Sequence, residues 1–404
     1  MTEIRPELRR DQPADLSDLA DDPGLAARIR DEIAAHGPMP FARFMELALY
    51  DPDGGYYRSA EARPGRAGDF LTAPELHPIF GELMARAVEQ AWDGLGRPDP
   101  FVVAEYGAGN GALAEPMLAV LRATPVWAAL RYWPVDIDER RLASLRDRLS
   151  AADLADRLEL PPDRPFDGLV IANEVLDALP VHRVRQRGEH LRELAVAVDA
   201  DGALIEVEID PTTPRIAERL ESEGVRLVDG QTAEVCLELD RWIADVAGGL
   251  RRGLLLVIDY GAIAAELYDA GRRRDGTLRA YVRHQVHDDP YRFVGRQDLT
   301  AHVDVAAVEA AAHAAGLSTV GITTQAEALM GLGIEDRLRE IQADPATTFE
   351  AYTELRAALM RLLDPAAMGR FRVMVFGRDW PADAVLGLFA YRLPSRGGAA
   401  PPGH

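Results

Sequence analysis

The residues best suited to chemistry lie in the glycine-rich segment EYGAGNGALAE, residues 105–115, where Gly107, Gly109 and Gly111 follow an apolar run. A glycine lets the backbone approach a ligand closely because it has no Cβ, and the first turn of a helix offers free N–H groups. The spacing also satisfies the loose dinucleotide pattern GxGxxG/A, with Ala112 in the last position. The loop therefore predicts a nucleotide-like cofactor without deciding which one.

Two carboxylates near this loop favour one class of cofactor. Glu105 stands two residues before Gly107, where its charge would repel a pyrophosphate but could orient a cationic, phosphate-free ligand such as S-adenosylmethionine. Asp136 ends the next predicted strand, 25 residues beyond Gly111, where a carboxylate can accept hydrogen bonds from ribose hydroxyls. Asp138 is the alternative ribose ligand, and either acid could instead cap a helix.

A further group of polar side chains follows another predicted strand, in the segment IANEVLDALPVHR. Asn173, Glu174 and Asp177 are expected at the carboxyl edge of the sheet beside the glycine loop, where open α/β sheets bind their ligands. They either cap the next helix or contact cofactor and substrate. A spacing of three would place the carboxylates of Glu174 and Asp177 on one side of a helical turn.

The elements that must position these side chains are alternating apolar runs and helical patterns from about residue 100. This alternation is typical of a mostly parallel sheet with helices on both faces. The runs are FVVAEYG, RYWPVDID, RLEL, DGLVIANEV and GLLLVIDYG. The segment LRELAVAVDADGALIEVEI interrupts them and predicts a hairpin, with DADG as its turn.

Composition divides the chain into four predicted regions. Residues 1–22 and 392–404 are polar or rich in Pro and Gly, which predicts disordered tails. Residues 23–99 are predicted to form a helical extension that packs on the active-site edge, and they include the amphipathic stretch HPIFGELMARAVEQAW. Residues 100–391 are predicted to form the main α/β domain, with an inserted lid at about 262–302.

Composition also excludes several classes of function. The 404 residues contain no lysine and carry a net charge of −21, which removes Walker A and Schiff-base chemistry and argues against a nucleic-acid partner. Cys236 is the single cysteine, and His302 and Asp304 lack a third clustered ligand, so neither a disulfide nor a metal site is expected. The acidic N-terminus and the lack of long apolar runs predict a cytoplasmic protein without a membrane span.

Blocks throughout the chain resemble one family, in the same order. They include GPMPFARFMELALYDPDGGYY, GDFLTAPELHPIFGELMA, EYGAGNGALA, NEVLDALPVHR, VIDYG and GTLRAYVRHQVHDDP. They are similar to the MidA family of S-adenosylmethionine-dependent methyltransferases, over about residues 30–378. The family implies a Rossmann-like class I fold, with a seven-strand, mostly parallel sheet in which RFRVMVFGR adds the antiparallel strand. Its mitochondrial members are protein arginine methyltransferases that assist assembly of respiratory complex I.

The resemblance and the chemistry of the residues themselves together suggest roles for individual residues. The cofactor-binding set becomes Gly68, Asp69, Phe70, Thr72, Glu105, Gly107, Gly109, Gly111, Asp136 and Asn173. Glu174 and Asp177 would orient the guanidinium of an arginine in a basic protein substrate, and His302 would accept a proton. The sequence departs from the family at Asp136, where a glutamate is usual, and at two positions within the glycine loop.

Three other interpretations stay open at this point. A methyltransferase that acts on a small molecule would share every cofactor residue. A nicotinamide dehydrogenase fits the glycine loop but not Glu105. A non-catalytic assembly factor could retain the cofactor pocket.

Overall fold

The computed structural model describes residues 16, 18–58, 71–159, 165–283 and 285–392. The helices are α1 (Pro23–His36), α2 (Phe41–Tyr50), α3 (Ala73–Leu76), α4 (Ile79–Gly94), α5 (Ala114–Leu121), α6 (Glu139–Ala151), α7 (Arg215–Ser222), α8 (Glu238–Gly249), α9 (Ala264–Leu267), α10 (Val305–Ala314), α11 (Gln325–Gly331), α12 (Ile334–Ala343) and α13 (Phe349–Leu363). The strands are β1 (Met39–Pro40), β2 (Phe101–Tyr106), β3 (Leu130–Val135), β4 (Phe166–Asn173), β5 (His182–Arg187), β6 (His190–Val198), β7 (Leu204–Ile209), β8 (Thr232–Val235), β9 (Leu250–Asp259), β10 (Gly261–Ala262), β11 (Arg279–Val282), β12 (Gln285–His287), β13 (Asp298–Thr300), β14 (Val303–Asp304), β15 (Ser318–Thr324) and β16 (Arg372–Arg378).

The main sheet has the strand order β15-β16-β9-β4-β2-β3. Neighbours among β3, β2, β4 and β9 pair in parallel, and β16 is antiparallel to both β9 and β15. The predicted antiparallel strand RFRVMVFGR is therefore confirmed. The sheet has six strands in the described part of the chain instead of the expected seven. At the edge where the predicted strand RLEL would add the seventh, Leu158 makes a single parallel bridge to Tyr132.

Two hydrophobic layers enclose the main sheet because successive side chains of a strand point to opposite faces. On β9, Leu254, Leu256 and Ile258 enter one core, which also contains the apolar faces of α4 and α5. Leu255 and Val257 enter the other core, against α8 and α10. The predicted helix at HPIFGELMARAVEQAW is α4, and it is part of the main domain's core.

A second, antiparallel sheet consists of four strands inserted between β4 and β9, together with the N-terminal β1. Its strands run β1-β6-β5-β8, and β7 pairs with β6, which confirms the predicted hairpin. Leu25, Ile29 and Phe44 of α1 and α2 are buried in a separate core that includes Val196 of β6. The predicted extension 23–99 therefore does not pack as one unit, because α1 and α2 cover this sheet while α4 covers the main one.

The segment expected to form a lid, residues 262–302, holds the three-stranded antiparallel sheet β12-β11-β13. Tyr57 joins it to the N-terminal region by donating a hydrogen bond to Asp298 Oδ1 at 2.8 Å.

The predicted N-terminal tail is partly ordered. Asp22 caps α1 and Asp18 forms an ion pair with Arg283. Of the predicted C-terminal tail, residues 393–404 lie outside the described residues.

No helix in the described ranges has the length and apolar character needed to cross a membrane.

Candidate active site

A cavity of about 520 Å³ lies at the carboxyl ends of β2, β3 and β4, the edge at which the sequence predicts the site. The predicted residues that line it are Thr72, Glu105, Gly107, Gly109, Asp136, Asn173 and Glu174. Gly111, Asp177 and His302 are not among its lining residues. Gly68, Asp69 and Phe70 lie outside the described residues.

The glycine loop connects β2 to α5 and bends back along the cavity. Gly107, Gly109 and Gly111 all have positive φ angles, of 71°, 54° and 83°, which other residues rarely adopt. A Cβ on Gly107 would lie 2.8 Å from Val175 Cγ2, whereas one on Gly109 would meet only Gly107 O, at an ordinary contact distance of 3.9 Å. A Cβ on Gly111 would instead approach Leu145 of α6 at 3.1 Å. The third glycine therefore serves helix packing, and the first two border the cavity.

Asp136 connects the glycine loop to the start of α6. Its Oδ2 accepts a hydrogen bond from Gly109 N at 2.9 Å, and its Oδ1 accepts one from Asp138 N at 2.9 Å. Asp138, the alternative ribose ligand, is the N-cap of α6 and accepts a hydrogen bond from Arg140 N at 3.0 Å. The structure thus separates the two acids, because Asp136 lines the cavity while Asp138 caps α6.

Glu105 borders the cavity, but its carboxyl group is engaged within the protein. Tyr132 donates a hydrogen bond to Glu105 Oε2 at 2.6 Å, and the residue is only 4% exposed. Burial raises the pKa of Glu105 to about 8, so the neutral acid predominates at pH 7. The sequence predicted a charged carboxylate at Glu105, whereas burial favours the neutral acid. A cationic ligand in the cavity would have to restore the charge.

Glu174 lies at the centre of the site, directly after β4. Its Oε1 accepts hydrogen bonds from Ala73 N at 3.1 Å and from Asn173 Nδ2 at 3.2 Å. Burial raises the pKa of Glu174 to about 8, and the charges of Asp177 and Glu75 add to the shift. The side chain thus links β4 to α3, and the raised pKa favours its protonated form at pH 7.

Asp177 does not share a helical face with Glu174, so that prediction is wrong. Glu174 has φ +53° and precedes a short 3-10 turn, Leu176–Ala178, that contains Asp177. Burial raises the pKa of Asp177 to about 6, with an opposing hydrogen bond from Tyr260. Asp177 therefore pairs with Tyr260, directly after β9, and does not line the cavity.

Asp259 at the end of β9 fixes this 3-10 turn. Its Oδ2 accepts hydrogen bonds from the backbone N–H groups of Val175 at 3.2 Å, Leu176 at 2.9 Å and Asp177 at 3.3 Å. Sequence reasoning missed Asp259. The signal was present, because Asp259 ends the apolar run of β9 in the same way that Asp136 follows the apolar run of β3.

The structure does not support the expected role of His302. Its Nδ1 lies 3.0 Å from Nη1 of Arg273, and its ring packs edge-on against Tyr260 at 5.4 Å. Burial, together with Arg273, Arg370 and Arg279, lowers the pKa of His302 to about 3. The imidazole is therefore a poor proton acceptor, and it lines a separate small pocket together with Glu223 and Asp304.

Three further side chains at the cavity were not predicted from the sequence. The rings of Tyr50 and Tyr57 stack with their centroids 5.6 Å apart. The Tyr50 hydroxyl donates a hydrogen bond to Ala178 O, and the Tyr57 hydroxyl donates one to Asp298. Arg141 projects from α6, one turn after Asp136. Tyr50 and Tyr57 lie on either side of the turn-rich segment DPDGG, and Arg141 follows the predicted ribose acid Asp136 by five residues. These positions are the signals that could have found them.

Among the described residues, no three His, Cys, Asp or Glu side chains are grouped in a way that could hold a metal ion.

Comparison with known proteins identifies relatives of this chain. The sequence model of a family described as "Putative S-adenosyl-L-methionine-dependent methyltransferase" matches residues 83–323. The Drosophila melanogaster "Protein arginine methyltransferase NDUFAF7 homolog, mitochondrial" is 30% identical over 379 residues, 87% of this chain and 84% of that protein. Its Mus musculus counterpart is 28% identical over 370 residues, 84% of this chain and 80% of that protein. A Burkholderia thailandensis protein solved with bound S-adenosyl-homocysteine is 36% identical, with a TM-score of 0.81 over 91% of this chain and 94% of its own.

These relatives overturn one prediction and confirm another. The cytoplasmic location is contradicted, because the Drosophila, mouse and human relatives are all named as mitochondrial proteins. An argument from the composition of the N-terminus was too weak to assign a compartment. The resemblance found in the sequence blocks is confirmed. Because the match at residues 83–323 extends from α4 through the glycine loop and Glu174 to β15, the chain belongs to the family of S-adenosyl-L-methionine-dependent methyltransferases.

Proposed function

We propose that the protein transfers a methyl group from S-adenosylmethionine to an arginine side chain of a protein. The observation that carries the proposal is the carboxyl group of Glu174, which faces the cofactor cavity beside the glycine loop. The family resemblance supports a subunit or assembly intermediate of respiratory complex I as the source of that arginine.

The cavity suits the cofactor in size and in chemistry. A volume of about 520 Å³ falls within the range of roughly 300–1,000 Å³ that is usual for small-molecule sites. Gly109 lines the cavity without a side chain, which admits a ligand close to the backbone. We assign the ribose to Asp136 and the rest of the cofactor to Gly107, Thr72 and Asn173, which line the same cavity. The resemblance adds Gly68, Asp69 and Phe70.

When bound, S-adenosylmethionine supplies a methyl group attached to a positively charged sulfur. The nucleophile attacks the methyl carbon and displaces the sulfur in line. The work of the chain is then to position the nucleophile and to exclude water. An arginine guanidinium enters with a positive charge, which lowers the pKa of a nearby carboxyl group. Glu174 therefore ionises as the acceptor binds, orients the guanidinium, and can hold the proton that the methylated nitrogen releases.

The preference for arginine has two sources of support. The relatives at 30% and 28% identity are named protein arginine methyltransferases. The lining of the cavity also includes the acidic side chains of Glu75, Asp136 and Glu174, and the whole chain carries a net charge of −21. Both charge distributions favour a basic acceptor over an acidic one.

The test is methylation of proteins in a cell lysate, followed by mass spectrometry to locate the added methyl group. We expect it on an arginine nitrogen, and turnover of that acceptor should fall roughly a hundredfold or more in Glu174→Gln, with cofactor affinity within a fewfold.

Glu75→Gln is the matched control. Glu75 lines the same cavity, but its carboxylate is held by Thr72 and faces the charge of Arg141. This variant should turn over within a fewfold of the wild type. Methyl groups on a carboxylate, a hydroxyl or a small molecule would refute the arginine assignment. Cofactor binding without any methylation would favour the non-catalytic assembly factor.

A further inference from the structure

The charges around the cavity are unevenly distributed. Four acidic side chains line it, namely Glu75, Glu105, Asp136 and Glu174. Arg141 is the single cationic side chain among the described lining residues. A ligand that carries an anionic group therefore has one positive partner available in this part of the chain.

The guanidinium of Arg141 has donor capacity to spare. It lies over the ring of Tyr57, with Cζ 5.6 Å from the ring centroid, and the side chain is 17% exposed. Its Nη2 is buried without a hydrogen-bond partner, which is costly for a charged group. The Asp138 carboxylate lies 3.9 Å from its Nε, too far for a hydrogen bond. Asp138 instead accepts two hydrogen bonds from the side chain of Arg140, both at 3.0 Å.

We propose that Arg141 binds the α-carboxylate of S-adenosylmethionine, an inference that rests on binding of this cofactor in the cavity. The cofactor carries a sulfonium and an ammonium group, which suit the acidic lining, and one carboxylate, which does not. An arginine pairs with a carboxylate through strong, charge-assisted hydrogen bonds. The stacking on Tyr57 holds the guanidinium in place before the ligand arrives, so little side-chain entropy is lost on binding.

The test compares two ligands that differ in the amino-acid portion, which contains the carboxylate that Arg141 is proposed to bind. S-adenosylhomocysteine carries the amino-acid portion, whereas 5′-methylthioadenosine keeps the adenosine and the thioether and lacks that portion. Calorimetry on the full chain should show that Arg141→Met weakens S-adenosylhomocysteine binding at least tenfold and leaves 5′-methylthioadenosine within twofold. Arg141→Lys, which keeps the charge, should recover most of the loss.

Arg140→Met is the matched control, since Arg140 is the neighbouring arginine on α6 and pairs with Asp138. It should leave both affinities within twofold. Equal weakening of both ligands by Arg141→Met, or no weakening of S-adenosylhomocysteine, would overturn the proposal. The experiment uses no methyl acceptor, so its outcome is independent of the arginine assignment. Failure of the wild type to bind S-adenosylhomocysteine would refute the cofactor site itself.

Discussion

At the end of β4, the backbone of Glu174 adopts φ +53°, a conformation in which a side chain is usually strained. Glu174 N donates to Ile258 O at 2.8 Å, and the carboxyl accepts Ala73 N, so the neighbouring elements fix the residue on both sides. Glycine would relieve the backbone strain but would remove the carboxyl group. A glutamate at this strained position fits the proposed role in positioning the acceptor.

Glu105 gives a prediction for the dependence of stability on pH. Its pKa is about 8 in the folded protein, compared with the ordinary value of 4.5 that applies after unfolding. Between these values the folded state holds a proton that the unfolded state has released, so raising the pH lowers the free energy of unfolding. The stabilisation is complete below pH 4.5 and is lost as the pH rises through 8.

Glu105→Gln removes this titration, while Tyr132 can still donate to the amide oxygen. As the pH rises, the difference in free energy of unfolding between the wild type and the variant should shrink by up to about 1.4 kcal/mol per pH unit. Urea unfolding at several pH values between roughly 5.5 and 7.5 measures it. The exposed Glu354→Gln on α13 should show no such trend, and a constant difference for Glu105→Gln would contradict the assigned pKa.

At the scale of elements, α3 is a four-residue helix, too short to be stable by itself. It is held by a capping box, in which Glu75 Oε2 accepts hydrogen bonds from Thr72 N at 3.1 Å and Thr72 Oγ1 at 3.0 Å. The further bond from Ala73 N to Glu174 ties α3 to β4. The cavity wall therefore depends on side-chain hydrogen bonds more than on helix propensity.

The 3-10 turn Leu176–Ala178 depends in the same way on Asp259, which is fully buried. Asp259→Ala leaves the N–H groups of Val175, Leu176 and Asp177 without an acceptor, and each buried unpaired group costs about 1–3 kcal/mol. We expect a loss of about 3 kcal/mol or more in the free energy of unfolding, measured in urea. Asp259→Asn keeps one oxygen for the turn and should lose clearly less; equal losses for the two variants would show that the hydrogen bonds are not the cause.

At the scale of the whole molecule, the antiparallel sheet, α1 and α2 form a body beside the main sheet. Tyr50 and Tyr57 extend from this body to the cavity, and Tyr57 also reaches Asp298 of the insertion. The cofactor edge is thus enclosed by segments far apart in the chain, which is how such a site excludes water.

The net charge of −21 predicts salt-dependent recognition of the proposed basic acceptor protein. Raising NaCl from roughly 50 to roughly 500 mM should lower kcat/KM for that protein several-fold, because salt screens long-range attraction between exposed charges. Steady-state kinetics measure it. A short, nearly neutral peptide around the methylated arginine should respond much less. A similar response of protein and peptide would exclude long-range steering.

Part of the fold and of the candidate site could be predicted from the sequence because the signals for that part are local. The apolar runs of β2, β3, β4 and β9 alternate with helical patterns, and the carboxyl ends of parallel strands meet at one edge. Asp136 and Asn173 could therefore be placed at the cavity from strand ends alone. The second sheet could be predicted only in part, because its hairpin is local but the pairing of β1 with β6 joins residues far apart in the chain.

By itself, the sequence determined the glycine loop, the acids at the strand ends, the family blocks and the lack of lysine. Only the tertiary structure decided that Glu174 faces the cavity while Asp177 turns to Tyr260, that His302 lies in a separate pocket, and that Arg141 stacks on Tyr57. The physical reason is that a side chain's direction and pKa depend on contacts between distant segments. Spacing along the chain does not encode such contacts.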